Sequence, residues 1–511
     1  MERSKQTPIS SANDSPIKNE DLFMDLADSF KAYDVRGIVG TTINTKAVEA
    51  IGAAFVDVFD LSGQSVLVGG DMRPSSPEFM NAFARGAALR GANPQLLGHV
   101  STDELYFASG SLSCAGVVFT ASHNPAEYNG IKMAKAGAVP VSSDSGLFEI
   151  RDLAQRFLEE GIPALVSETT GTIGEIDVLS EYSAYLRSLV DLSAIRPLKI
   201  VVDAGNGMAG LTTPAVLGDS VLSALPLEII ELYFELDGTF PNHPANPLEP
   251  ENLRDLQAAV LKHGADIGLA FDGDADRCFV IDEQGNPVSP SAITGLIAVR
   301  EIQRAQASGE LTPTVIHNLI TSKAVPEIIT ATGGRPLVTR VGHSFIKTVM
   351  GDEGAIFGGE HSAHYYFRDF YNADTGMLAA LHVLAALGHQ DAPLSKFAAE
   401  YEPYVSSGEI NSQVDNPANA IARVLEEFST GYDTNNDHVG SVCASCHPDL
   451  ADCETAVSTL DGTTVTASDG SFWFNLRPSN TEPFLRYNGE AVDLKTMVLV
   501  RDAVLNLVRN S

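Results

Sequence analysis

The sequence predicts an α/β protein of several domains: three related α/β units with parallel or mixed sheets, then a smaller α+β unit at the C-terminus. Three observations carry this reading. The chain is 511 residues long, and at about 150 residues per domain it needs three or four cores rather than one. Three times a short apolar strand runs straight into a polar loop, and each time an earlier strand followed by helix-like sequence precedes it, the alternation expected of parallel sheets. The C-terminal stretch breaks that alternation.

Residues 1–22 are polar, rich in Ser, Pro, Asn and Asp, and read as a loose tail rather than an export signal. The first unit, 23–190, holds the strand SVLVGG from Ser65 and the strand GVVFT, 116–120, that delivers a loop. Between them Ser75-Ser76-Pro77-Glu78 predicts a helix start with a capping box and Pro in the first turn; Phe79 and Phe83 follow on one face and Gly91 ends it. The second unit, 191–290, sets LKIVVD from Leu198 beside DIGLAF ahead of Asp272. The third, 291–405, sets TVIHNL from Thr314 beside GAIFGG ahead of Glu360. Its apolar stretch Met377 to Leu387 contains His382 and is too short to span a bilayer, so it predicts a buried helix. The fourth, 406–511, carries two strand-like runs around a polar turn in GSFWFNLRPSNTEPFLRY and a closing amphipathic helix from Asp493 to Val508.

Sixty-six acidic against 33 basic residues leave a net charge of −33, so the average surface repels nucleic acid and anionic membranes. A few Lys or Arg converging in a cleft still suit an anionic small molecule. Five cysteines make no disulfide scaffold, and a reducing cytoplasm is the expected compartment. The cluster Cys443, Cys446, His447 and Cys453 contains the haem-attachment pattern, but such attachment needs export. As a zinc site it suffers because adjacent Cys446 and His447 point apart and no second ligand pair follows. It reads as a surface loop.

Four loops carry chemistry. In FDGDADRCFVID the carboxylates of Asp272, Asp274 and Asp276 alternate, so in an extended loop they project to one side and converge on a hard cation, naturally Mg²⁺. An EF-hand has the same spacing and finds Glu283 at its twelfth position, but Arg277 replaces the required glycine. An aspartyl-phosphate phosphatase also places Asp-x-Asp after a strand, yet leaves the other loops unexplained. In FTASHNPAEYNGIKM, Ser122 stands at a strand end with His123 and Lys132 as proton-transfer or charge partners, while Asn124, Pro125, Asn129 and Gly130 set a tight loop. A local turn is the plain reading of such a serine. A phosphoryl group on Ser122, however, would bring nearly two negative charges that a cation on three aspartates would offset. In RPSNTEPFLR, Arg477, Ser479, Asn480 and Thr481 offer donors for a phosphate. In GGEHSAHYYF, Glu360 and Ser362 suit a pair of sugar hydroxyls, whereas His361 and His364 lack a third ligand for a metal.

Together these residues resemble the α-D-phosphohexomutases, whose four signature loops occur here in the family's order at Thr120 to Pro125, Asp272 to Arg277, Gly359 to His364 and Arg477 to Thr481. The similarity runs from about Tyr33 to the closing helix and includes VDAGNGMAG at 202–210. It implies four domains around a central active-site cleft, with Ser122 as phosphoserine and the Ser122 phosphate, Asp272, Asp274 and Asp276 holding Mg²⁺. Glu360 and Ser362 then contact sugar hydroxyls, and Arg477, Ser479, Asn480 and Thr481 clamp the phosphate that is not reacting. Arg36, Lys132 and His343 match catalytic positions, the last two for proton transfer. Tyr33, His123, Arg277, His361 and His364 complete the expected substrate contacts. One departure is Gly70, where relatives often carry Arg. The implied reaction is a phosphoryl shuttle through a hexose 1,6-bisphosphate, on hexose phosphates as sole partners, in a monomer or homodimer. The loop GEHSAH resembles the phosphomannomutase and dual-specificity branch, with phosphoglucomutase, phosphoglucosamine mutase and a silent sugar-phosphate binder as alternatives.

Overall fold

Each of the four units forms its own sheet, and three of them deliver a loop in the same way. The computed structural model describes residues 24–164, 170–431, 439–443, 446–450, 453–479 and 484–509. In the first sheet Ser65–Gly70 runs parallel to both Asn93–His99 and Ala115–Phe119, and Tyr128–Lys135 then returns antiparallel on Ala115–Phe119. Val35–Ile38 closes that edge antiparallel to Tyr128–Lys135. The second sheet repeats the motif: Ile267–Phe271 lies parallel to Leu198–Asp203 and antiparallel to Cys278–Asp282. So does the third, where Phe357–Gly359 lies parallel to Thr314–Asn318 and antiparallel to Tyr365–Phe367.

The three delivering strands are buried at every position, because helices cover both faces of such sheets and an uninterrupted apolar run is the consequence. A parallel strand that turns at once into an antiparallel partner leaves its loop at the carboxyl end, where α/β sheets present their ligand sites. Ser122, the three aspartates and Glu360 all stand there.

The fourth sheet is antiparallel throughout, ordered Val405–Ser406, Phe484–Ala491, Phe472–Pro478, Thr463–Ala467, Glu454–Ser458, Val439–Ser441, with Ile410–Gln413 also on Phe484–Ala491. Alternating burial along Glu454–Ser458 and Thr463–Ala467 is the mark of a sheet with one face on a core and one in water. The closing helix, Leu494–Arg509, packs on it, and Asp493 caps that helix by accepting from Thr496 N at 2.8 Å.

Two local expectations have different outcomes. The helix Ser76–Leu89 starts and stops as expected, but the capping box does not form. Ser75 Oγ instead accepts from Asn129 Nδ2 (2.8 Å) and Ser76 Oγ donates to Asp71 (2.7 Å), so both hydroxyls are taken by partners outside the helix. The apolar stretch does form a buried helix, Gly376–Gly388, every residue of it buried. It packs against helices Pro290–Ala307, Leu179–Leu189 and Ala209–Val216, so one hydrophobic cluster runs from the second and third units to Leu67, Leu105 and Val118 of the first. Each large apolar side chain buried there contributes about 1.5–3 kcal/mol. No helix among the described residues is long and apolar enough to cross a membrane.

Candidate active site

Ser122 is 3% exposed and has a left-handed backbone, φ 49°. Its N–H donates to Thr120 Oγ1 (2.9 Å), which turns the chain sharply at the strand end. Its Oγ donates to Asp272 Oδ2 (2.7 Å) and receives Arg277 Nη2 at 3.1 Å. The loop is held from below by Arg73, a fully buried guanidinium that donates to the carbonyls of Ser122 (2.9 Å), Asn124 (2.6 Å), Pro125 (2.7 Å) and Tyr128 (2.8 Å). Asp71 orients Arg73 through its Nε at 3.2 Å. Gly273 sits so close that a Cβ there would come within 2.5 Å of Ser122 O. Arg36, clamped by Asp34 (2.7 Å), donates to Asn124 Oδ1 (2.6 Å); its carboxylate partner holds its pKa above the usual value against burial.

The aspartates converge, though by a different geometry from the extended loop expected. The segment is a tight turn with Ala275 at φ 61°, and one ligand atom from each of Asp272, Asp274 and Asp276 lies within 4.8 Å of the others. Lys132 Nζ sits on Asp274 Oδ2 (2.7 Å) and Asp276 Oδ2 (2.5 Å), and Thr102 Oγ1 donates to Asp274 Oδ2 (2.7 Å). Burial disfavours the Asp274 carboxylate, but Lys132 outweighs it and holds the group well below the usual range. Lys132 in turn is kept charged by both carboxylates. Asp272 is pushed up to about 7 by burial and, against the pull of Arg277, by Asp274 and Asp276. Burial and Arg277 drive His123 down to about 2, so it is a neutral ring whose Nδ1 faces Arg277 Nη2 at 2.5 Å.

The Glu360 loop meets the aspartate loop: Arg277 and His364 form an antiparallel bridge. Glu360, 2% exposed, accepts from Asn318 Nδ2 (3.1 Å) and Tyr366 OH (2.7 Å). His364 lies between Ser362 Oγ (3.1 Å), Glu360 Oε2 (3.7 Å) and Asp276 Oδ1 (3.6 Å), and burial lowers its pKa. His361 turns elsewhere, to Ser291 Oγ at 2.9 Å. The Tyr33 hydroxyl is raised, chiefly by burial and then by Asp34, and feels Glu360 and Lys132. Arg477 is the penultimate residue of the strand Phe472–Pro478, with Nη1 3.8 Å from Asp461, and Ser479 N donates to Phe484 O (2.8 Å). Asn480, Thr481 and the side chain of His343 lie outside the described residues.

Comparison with known proteins places this geometry. Residues 27–159, 180–285 and 290–404 match the phosphoglucomutase/phosphomannomutase α/β/α domains I, II and III. A phosphomannomutase of Escherichia coli is 37% identical over 485 residues, covering 94% of this chain and 99% of the relative. The chain belongs to the phosphoglucomutase/phosphomannomutase family. The phosphohexose mutases of Xanthomonas campestris pv. campestris are 37% identical over 94% of the chain and 99% of the relative. A crystal structure of a family protein from Burkholderia thailandensis superposes with a TM-score of 0.77 at 29% identity, over 94% of this chain and 96% of that one.

Phosphohexomutases use Mg²⁺, and the donor set fits it. Asp274 Oδ1 and Asp276 Oδ1 are buried and accept no hydrogen bond among the described residues, which is costly unless a cation meets them. An EF-hand does not fit, because Glu283 is taken up by Ser395 N (3.0 Å). Gly70 is tightly packed: a Cβ there would lie 3.0 Å from Met80 Sδ and 3.1 Å from Ser76 Cβ, so a larger residue needs those side chains to give way. In the cysteine segment Cys443 Sγ donates to Cys446 Sγ (2.7 Å), while His447 turns to Glu427 (2.9 Å) and Cys453 to Asp469 (3.7 Å). Among the described residues no metal-competent cluster forms there. Sequence reasoning missed Arg73, Asp71 and Thr102; the run VGGDMR was the available signal for the first two.

Proposed function

We propose that the protein is a phosphomannomutase that interconverts mannose 6-phosphate and mannose 1-phosphate through a phosphoserine at Ser122 and a hexose 1,6-bisphosphate, with accompanying glucose activity. The observation that carries this is the meeting of Ser122 Oγ with Asp272 (2.7 Å) and Arg277 (3.1 Å) on a strained turn. A hydroxyl needed only for a turn would face its own backbone.

The chain's residues divide the work. Arg277 donates to Ser122 Oγ and Asp272 together, which is where charge grows as a phosphoryl group leaves or arrives. Asp272, Asp274, Asp276 and the phosphate on Ser122 would hold Mg²⁺. When bound, that ion supplies charge neutralisation for phosphoryl transfer. Lys132, locked on two carboxylates, serves as a fixed charge rather than a base. His364, a half-buried ring beside Ser362 and Glu360 whose pKa is lowered by its surroundings, is the group we assign to the sugar hydroxyl's proton. Glu360, held by Asn318 and Tyr366, is a rigid acceptor for hydroxyls. Arg477, Ser479, Asn480 and Thr481 hold the phosphate that is not reacting, consistent with the buried Arg477 Nε, which finds no hydrogen-bond partner among the described residues. Reading O3 and O4 and leaving O2 unread lets the bisphosphate bind in both orientations and admits glucose alongside mannose.

The test compares kcat/KM for the 1-phosphates of mannose, glucose and glucosamine. Mannose is expected to lead, followed by glucose; a clear glucosamine preference would sink the assignment. Intact-mass analysis should find one added phosphate that Ser122→Ala removes.

A further inference from the structure

The Arg477 turn and the sugar loop belong to different units, and one carboxylate joins those units. Glu490 lies in the strand Phe484–Ala491 of the fourth sheet and is 8% exposed. Its Oε2 accepts from Trp473 Nε1 (2.9 Å) within that sheet. The same oxygen accepts from Ser322 Oγ (3.0 Å) and Lys323 N (3.1 Å) of the third unit, at the N-terminus of helix Ala324–Ala331. A buried carboxylate with three donors, facing the positive end of a helix, makes strong charge-assisted bonds.

The contact continues inward. Ser322 N donates to Ser291 Oγ (3.0 Å), and that oxygen meets His361 Nδ1 at 2.9 Å, beside Glu360. The same turn carries Thr321, whose Oγ1 donates to Asn318 Oδ1 (2.7 Å), and Asn318 holds Glu360. Across the junction Asp461 Oδ2 accepts from Val341 N (3.1 Å) and faces Arg477.

We propose that Glu490 is a positioning residue for the mutase reaction: through Ser322, Ser291 and His361 it couples the seat of the fourth unit, and with it the Arg477 turn, to the sugar loop. This rests on the reading in which Arg477 holds the non-reacting phosphate. None of the linking hydrogen bonds touches Ser122, so the chemistry of the phosphoserine is untouched by it and substrate capture depends on it.

Glu490→Gln keeps the shape and an acceptor oxygen but removes the charge; Ser322→Ala removes the hydroxyl donor of the third unit. The experiment measures KM and kcat for mannose 1-phosphate at saturating glucose 1,6-bisphosphate, phosphoserine content by intact mass, Tm, and mannose 1-phosphate binding by calorimetry. Each variant is expected to raise KM and Kd about tenfold, with kcat and phosphoserine content near wild type. The double variant should be little worse than either single one, since both break one contact. Fold-changes that multiply in the double variant, or a loss seen only in Tm and kcat with binding unaltered, would overturn the proposal. Calorimetry separates the two readings: a wild type that binds mannose 1-phosphate without turning it over refutes the mutase assignment, while the coupling still stands or falls on the Kd values.

Discussion

Ser122 keeps a left-handed φ of 49°, a conformation that costs a non-glycine residue about 1–2 kcal/mol and persists only where neighbours fix it. Arg73 below and Gly273 beside it do so. Gly273→Ala is expected to push the turn outward, because its Cβ would lie 2.5 Å from Ser122 O, to lower kcat about a hundredfold and to lower Tm by the equivalent of about 1–3 kcal/mol. Steady-state kinetics with a melting curve checks both. The aspartates make a second prediction at this scale. With Asp272 raised and two buried oxygens unmet, Mg²⁺ at a hundred times its Kd should stabilise the wild type by about 2.7 kcal/mol. Asp274→Asn should abolish that gain, and EDTA should remove both it and the activity. These carboxylates were legible in the sequence because they alternate within five residues. Arg73 was not, because its partners are backbone carbonyls some fifty residues away, which leave no mark in composition or spacing. Thr102 was hidden likewise, 172 positions from Asp274.

At the scale of elements, the three site loops owe their position to one repeated device, a buried parallel strand that turns directly into an antiparallel partner. The strands were readable as unbroken apolar runs, since both faces are covered. What could not be read was how the loops lean on one another: the bridge between Arg277 and His364 pairs segments of two units, and the Ser75 capping box loses to Asn129, a competitor far along the chain. The Ser122 loop as an element depends on the planar fork of Arg73. Arg73→Lys keeps the charge but cannot reach four carbonyls, so buried acceptors are left unmet at about 1–3 kcal/mol each. The expected result is a destabilisation of the first unit by a few kcal/mol, with phosphoserine content reduced in parallel, read by denaturant unfolding and intact mass. A variant of normal stability that still carries full phosphate would show that the loop holds itself.

At the scale of the whole molecule, the units meet at Asp103. Its carboxylate accepts from Ser101 Oγ in the first unit, from Tyr182 OH (2.7 Å) on the helix Leu179–Leu189, and from Thr375 Oγ1 (2.6 Å), which caps the central helix Gly376–Gly388. Burial pushes this carboxyl up to about 6, and the hydrogen bonds from Ser101, Thr375 and Tyr182 only partly offset it. In the unfolded chain the group ionises in the ordinary carboxylate range, and in the folded protein only near 6. Between those values the unfolded state alone releases its proton, so stability falls as pH rises through the window; below it the term vanishes, and above it the full cost remains. Asp103→Asn removes the titration while keeping an acceptor for Tyr182 and Thr375. The unfolding free energy of the wild type relative to this variant should therefore drop by about 2 kcal/mol between about pH 4 and pH 7, whatever other groups titrate in both proteins. Denaturant unfolding of the pair at the two pH values measures it. A difference that stays constant would mean that Asp103 ionises in the fold at the same pH as in the unfolded chain, its hydrogen bonds from Ser101, Thr375 and Tyr182 offsetting burial in full.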